Sequence, residues 1–297
     1  MASRSHTARH AAPTPRHSTV GKHSQLRSLV TLAAAALGSG LLFYPAASGW
    51  LSAWAHGAEV TDYVESVSRL PVPEKADELR SARQFNANLA GMPLEDPYAG
   101  AQMDADAWGV QEYLGQLDDT EVMARVRIPE IDADLPIYHG TSEQTLARGV
   151  GHLFGSALPV GGPGTHAVLT GHSGMVGARV FDDLHDLRIG DQFTISVLDE
   201  VLTYEVDQIL TVEPTDIEAL RPVAGQDYVT LVTCTPIGVN SHRLLVRGVR
   251  VQAQAALAPV TTTAPAVGAS PGFPWWALGA LGVPAAVAVG TRRRVRR

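Results

Sequence analysis

Three residues among 297 have the types and settings for covalent chemistry: Cys234, His172 and Arg243. Cys234 is the chain's only cysteine and lies in LVTCTPIGVNSH, residues 231–242. It closes an apolar, β-branched run and opens a Thr-Pro-Gly-Asn loop, where a scaffold presents reactive groups. A thiol attacks a carbonyl as thiolate, so it needs a base or a positive charge beside it. It also needs donors for the oxyanion that forms. His172, in HAVLTGHSG, stands where a strand-like run breaks into Gly and Ser, and Arg243 opens the run RLLVRGV nine residues past the cysteine. A strand, a loop and a returning strand would bring Arg243 alongside the thiol. Each residue also has an ordinary alternative. A free cysteine usually behaves as a small buried hydrophobe. Seven histidines lie from His56 onward, and Arg243, Arg247 and Arg250 could line an exposed strand face. Spacing alone leaves both readings open.

The elements that must hold these groups are short. EVMARVRI, LPIYHG, HAVLTG, DQFTISVL, VLTYEVDQIL, YVTLVT and HRLLVRGVRV follow one another, separated by turn signals such as PVGGPGT, RIGD and AGQD. Regularly spaced short strands with few helices between them predict an all-β barrel or sandwich. Helical pieces are predicted at SEQTLARGV, at ARVFDDLHDLR and around TDIEAL. Residues 59–92, rich in Ala, Glu, Arg and Leu, read as helix broken at LPVPEK by Pro71 and Pro73. Residues 93–120 are turn-rich, and AALAPVTTTAPAVGASPG is a Pro/Thr/Ala linker too poor in large apolar residues to fold.

The two ends bear on location. Ser28 to Ala55 carries no charged side chain, a run longer than the roughly 20 residues that cross a bilayer as a helix. A second uncharged run, Phe273 to Gly290, is shorter and contains Pro274 and Pro284. Residues 1–27 hold five basic residues and no acid, and the final TRRRVRR adds five arginines. Basic flanks stay on the cytoplasmic side, so both termini are expected inside and residues 59–272 outside. A cleaved secretory signal shares the charged-then-apolar pattern, but the long leader and long apolar run favour an anchor. The 23 Lys+Arg less those ten leave 13 against 30 acids, a net charge of −17 outside. So acidic a domain is a poor binder of nucleic acid or anionic lipid and would attract a cationic partner such as a protein lysine. Outside the membrane a single cysteine has no partner for a disulfide within the chain. No His and acids have compelling metal-ligand spacing, and neither metal nor cofactor is expected.

TLVTC at 230–234 with Arg243 nine residues on, and LTGHSG at 169–174, resemble the sortases, cysteine transpeptidases of Gram-positive surfaces. Residues 135–172 and 201–220 resemble the class C, pilus-assembling sortases in particular, and the similarity spans roughly residues 93–251. It implies a closed eight-stranded β-barrel with short helices and an N-terminal helical and lid region; the two apolar runs add two flanking transmembrane helices, the termini matching the family in layout only. Taken together, charge, hydropathy and resemblance give a basic cytoplasmic tail 1–27, an anchor 28–55 and a helical region with lid 56–120. The barrel 121–251, linker 252–272, second span 273–290 and tail 291–297 follow. The family's triad falls on Cys234, His172 and Arg243, with Thr233 assisting at the substrate carbonyl. The implied partners are pilin or surface proteins bearing a Leu-Pro-x-Thr-Gly signal, cleaved between Thr and Gly and passed to a pilin lysine. EDPYAG at 95–100 resembles the class C lid, in which Asp96 would approach Arg243, Tyr98 would stack over the Cys234 thiol and Pro97 would stiffen the segment. Relatives commonly carry Arg directly after the TGH, where this chain has Ser173. A housekeeping sortase acting on cell-wall precursor, or a catalytically idle scaffold at a pilus base, are the alternative readings.

Overall fold

A computed structural model describes residues 20–89, 94–98, 108–175, 177, 179–251, 268 and 271–295. The tail residues 1–19 and 296–297, and most of the linker 252–272, lie outside the described residues. The chain divides into two compact units, residues 1–44 with 275–297, and residues 45–274.

Helix α1, Val20–Arg69, runs through both the expected anchor segment and the first part of the expected helical region. Helix α2, Val72–Asn88, follows at once, with Pro71 at its N-cap and Pro73 in its first turn, where proline's missing N–H costs nothing. After α3 (Val110–Leu114) and α4 (Glu143–Arg148), the last helix is α5, Trp275–Val295. Among the described residues one helix is long and apolar enough to cross a membrane, its span being Gln25–Arg69; the apolar part of α5, Trp275–Thr291, is shorter.

Eight strands close into a barrel in the order β1-β2-β3-β4-β7-β8-β6-β5. They are β1 Ala124–Ile128, β2 Ala133–His139, β3 Val150–His152, β4 Thr165–Thr170, β5 Gln192–Val197, β6 Glu200–Val212, β7 Asp227–Thr235 and β8 His242–Val251. Alternation along each strand sorts side chains between two faces. Ala167, Leu169, Val229, Leu231, Leu244 and Val246 enter the central core, which α2 caps with Leu79, Ala82 and Phe85. Val168, Val232 and Leu245 face the other way, into a smaller cluster with Leu153 and Leu220 on which Leu94 and Tyr98 rest.

Three sequence expectations change. Val150, read as the end of a helix, instead opens β3, a strand of three residues whose pairing with β2 and β4 is tertiary. Among the described residues of ARVFDDLHDLR, the helical part is the 3-10 turn Leu184–Asp186. The preceding residues are drawn off by other partners, with the Phe181 amide donating to the His172 carbonyl at 2.9 Å. TDIEAL likewise yields only the 3-10 turn Glu218–Leu220.

Candidate active site

The strand order places the three candidate groups together by register. β7 and β8 are antiparallel neighbours, and Cys234 pairs directly with Arg243. β4 and β7 are parallel neighbours in which Thr170 pairs with Val232. His172 and Cys234 each lie two residues beyond that pair, so they leave adjacent strands at the same level. Residues 62 positions apart in the chain are thereby presented side by side, with the guanidinium on the sulfur's other flank.

Several hydrogen bonds fix this edge. Gly171 N–H donates to the Val232 carbonyl at 3.1 Å, extending the β4–β7 pairing to the residue before the histidine. Thr233 Oγ1 donates to the Gly171 carbonyl at 2.7 Å, and Ser173 Oγ donates to the Cys234 carbonyl at 2.7 Å. Thr233 is thus placed beneath the site with its hydroxyl proton committed to the His172 strand end. Ser173, singled out in the sequence only as a departure, ties the histidine's loop to the cysteine's strand. Beyond it, Asp182 Oδ1 accepts from Gly174 N–H at 3.0 Å and closes the loop.

Arg243 is held on two sides. Nη1 donates to the carbonyls of Asn240 and His242 at 3.1 and 3.2 Å. Asn240 has a φ of 59°, a left-handed conformation that asparagine tolerates in a tight turn. Nε and Nη2 donate to the two carboxylate oxygens of Asp96 at 2.8 and 2.7 Å. The expected acid-to-guanidinium contact is therefore bidentate, the strong geometry for such a pair. Tyr98 lies against both neighbours of the thiol: its ring is 5.7 Å from the His172 ring and 4.9 Å from the Arg243 guanidinium carbon. Its hydroxyl donates to the Gly171 carbonyl at 2.6 Å, with the Val232 carbonyl 3.3 Å away. Pro97 joins these two residues in a turn. The segment 94–98 thus lies over the site, and Cys234 is 8% exposed.

Covering the site sets its protonation. Burial pushes the Cys234 thiol above its ordinary range; Arg243 opposes that shift, and the Asp96 carboxylate adds to it. Burial holds His172 below the usual imidazole value, against a weaker opposing pull from Glu143 at the start of α4. Both shifts favour neutral thiol and neutral imidazole over the ion pair. With Asp96 removed, two donors of the Arg243 fork would face the thiol's surroundings unpaired, an arrangement suited to an oxyanion.

Comparison with known proteins agrees with this geometry. Residues 126–251 match the family model of the sortase domain. Sortase C-1 from Actinomyces oris is similar in structure, with a TM-score of 0.59 and 52% identity over 61% of this chain and 99% of that one. The sortase C of Streptococcus pneumoniae, whose structure is described in relation to catalysis and pilin substrate specificity, matches with a TM-score of 0.59. It is 42% identical over 65% of this chain and 96% of that one. Among curated proteins, the sortase SrtE1 of Streptomyces coelicolor is 29% identical over 181 residues, 56% of this chain and 48% of that protein. The chain thus spans about half the length of that curated relative.

Proposed function

The chain belongs to the sortase family and to its class C, and on that premise we propose that it is a membrane-anchored cysteine transpeptidase of pilin assembly. Its substrate is a protein with a Leu-Pro-x-Thr-Gly signal, and its acceptor a lysine amine of another pilin subunit. The observation that carries the reading is the meeting of Cys234 on β7, Arg243 on β8 and His172 just past the end of β4, beneath a docked acidic-aromatic segment.

The residues divide the work as follows. Displacement of residues 94–98 exposes the thiol and removes the Asp96 carboxylate, and both changes lower the thiol's pKa. His172 takes the thiol proton, and the thiolate adds to the carbonyl carbon of the signal's threonine. Arg243 Nε and Nη2, released from Asp96, hold the oxyanion. Collapse of the tetrahedral adduct breaks the Thr–Gly bond, His172 gives its proton to the leaving glycine amine, and a thioester remains on Cys234. His172 then accepts a proton from the lysine amine as it attacks, and a second collapse forms the isopeptide bond and restores the thiol. Thr233 and Ser173 position this edge by holding the Gly171 and Cys234 carbonyls. The anchor is the span in α1, with α5 as a second membrane segment and the barrel on the outer face, supported by the basic residues at both ends of the sequence.

The test is to incubate the full-length protein in detergent with a sorting-signal peptide and look for a Cys234 thioester by mass spectrometry, then to offer a pilin lysine and, separately, a cell-wall peptide precursor. Thioester formation and transfer to the pilin lysine are expected. Peptide processing by Cys234→Ala at the wild-type rate would refute the mechanism. Preference for the wall precursor would favour the housekeeping role, and an unreactive Cys234 after removal of the 94–98 cover would favour an idle scaffold.

A further inference from the structure

Among the described residues, one hydroxyl on the catalytic face lacks a partner in the covered site. Thr170 is 0% exposed, and among the described residues its Oγ1 is a buried side-chain oxygen without a hydrogen-bond partner. Its direction follows from the strand. Ala167 and Leu169 enter the central core, whereas Val168 belongs to the outer cluster with Val232, Leu220 and Leu245. The two-residue period puts Thr170 on the Val168 side, beside its pairing partner Val232. His172 and Cys234 continue these two strands, and Leu94 and Tyr98 rest on the same outer cluster.

A buried hydroxyl deprived of water and of any partner destabilises the fold. Valine has the same shape, suits a strand as well, and would carry no such penalty. A polar group that costs stability in the closed molecule, on the face that the cover vacates, is accounted for by a ligand that satisfies it when the site opens.

We propose that Thr170 is a substrate-binding residue whose hydroxyl donates a hydrogen bond to a main-chain carbonyl in the Leu-Pro part of the sorting signal. The inference rests on the transpeptidase reading above. Along the parallel pair, Thr170 lies two residues short of the level of Cys234, about 6.6 Å at strand rise. An extended peptide with its threonine carbonyl at the sulfur covers that distance in about two residues, which brings its proline over Thr170. The apolar cluster around Val168, Val232 and Leu220 suits leucine and proline side chains, so the N-terminal half of the signal lies on this side. Proline has no N–H, so the main chain there is rich in acceptors, which a hydroxyl donor can meet.

Steady-state kinetics of the full-length protein in detergent with a Leu-Pro-x-Thr-Gly peptide test this, using wild type, Thr170→Val and Thr170→Ser. Each is also measured in an Asp96→Ala background, so that an effect on the cover is separated from an effect on the substrate. Thr170→Val is expected to raise KM about tenfold with kcat within about twofold, in both backgrounds. Its melting temperature should equal or exceed that of wild type, and Thr170→Ser should keep the wild-type KM. A Thr170→Val KM within about twofold of wild type overturns the proposal, and so does a lowered melting temperature, the mark of a structural role. If wild type forms no thioester with the peptide, the transpeptidase reading fails and this inference with it; normal wild-type turnover beside an unchanged Thr170→Val defeats this inference alone.

Discussion

Asp96 and Arg243 are joined by two parallel hydrogen bonds of 2.8 and 2.7 Å across 147 residues of chain. Their side chains are only 14% and 10% exposed. Such a pair is shielded from the screening that makes surface ion pairs weak. On the mechanism proposed above it also occupies the donors that would hold the oxyanion, so the closed molecule keeps its own carboxylate on the guanidinium fork.

Breaking that pair should activate the thiol. Asp96→Ala removes a carboxylate that raises the Cys234 pKa and loosens the cover whose burial raises it further. The pH at which half of Cys234 reacts with iodoacetamide should therefore fall. The alkylation rate at neutral pH should rise with the thiolate fraction, by about tenfold or more. An unchanged rate and inflection would mean that residues 94–98 do not control access to the sulfur.

Arg243→Lys should separate the two uses of the guanidinium. Lysine keeps the charge but not the planar fork, so both the bidentate grip on Asp96 and the paired donors to an oxyanion are lost. Alkylation of Cys234 should speed up as the cover loosens, while peptide turnover should fall by about a hundredfold or more. Parallel loss of both would point to misfolding, which a melting curve checks.

Much of this arrangement was legible in the sequence, for identifiable reasons. Cys234 and Arg243 sit on strands joined by one short loop, so local spacing suggested their pairing. Nothing local brings His172 to Cys234; that follows from the parallel β4–β7 register, and resemblance supplied it where spacing could not. β3, at three residues, carries too little alternation to be read as a strand. The role of Ser173 was hidden because its partner is a main-chain carbonyl 61 residues away, and side-chain type does not encode such contacts. Thr170 escaped for the same reason in reverse, since its distinguishing feature is a missing partner.

Two buried histidines should make the barrel acid-labile. His152 is held neutral by burial, with its pKa pushed down to about 4 and His139 adding slightly, and its ring lies between Tyr113 Oη and the Ala157 carbonyl. His166 is likewise pushed down to about 4 by burial and Arg247, against Asp207, between Thr230 Oγ1 and the Arg221 carbonyl. The unfolded chain binds these protons near pH 6.5, where free imidazole titrates. Between that pH and about 4 the unfolded state holds protons that the native state does not. The contribution is present in full above the window and lost as pH falls through it, roughly 3 kcal/mol for each group. Urea midpoints measured against pH should show the decline, and His166→Gln should flatten it.

The strand end that carries His172 tolerates no added atom at Gly171. A Cβ there would lie 2.7 Å from both Phe181 Cδ2 and Val180 Cγ1. Phe181 is 0% exposed and its amide is bonded to the His172 carbonyl, so the ring has no room to yield. The Gly171 carbonyl is at the same time the acceptor for Tyr98 and Thr233. Gly171→Ala should therefore move the main chain, costing about 1–3 kcal/mol of stability and misaligning the imidazole with the sulfur. Turnover should fall at least about tenfold at temperatures where the variant remains folded, because displacement of a catalytic group by even about 1 Å is felt strongly in rate. Gly115→Ala provides the control, since its φ is −87° and its Cβ would meet nothing nearer than 3.5 Å. If Gly171→Ala retained full turnover and stability, the imidazole's position would not depend on the close approach of Phe181 to this strand.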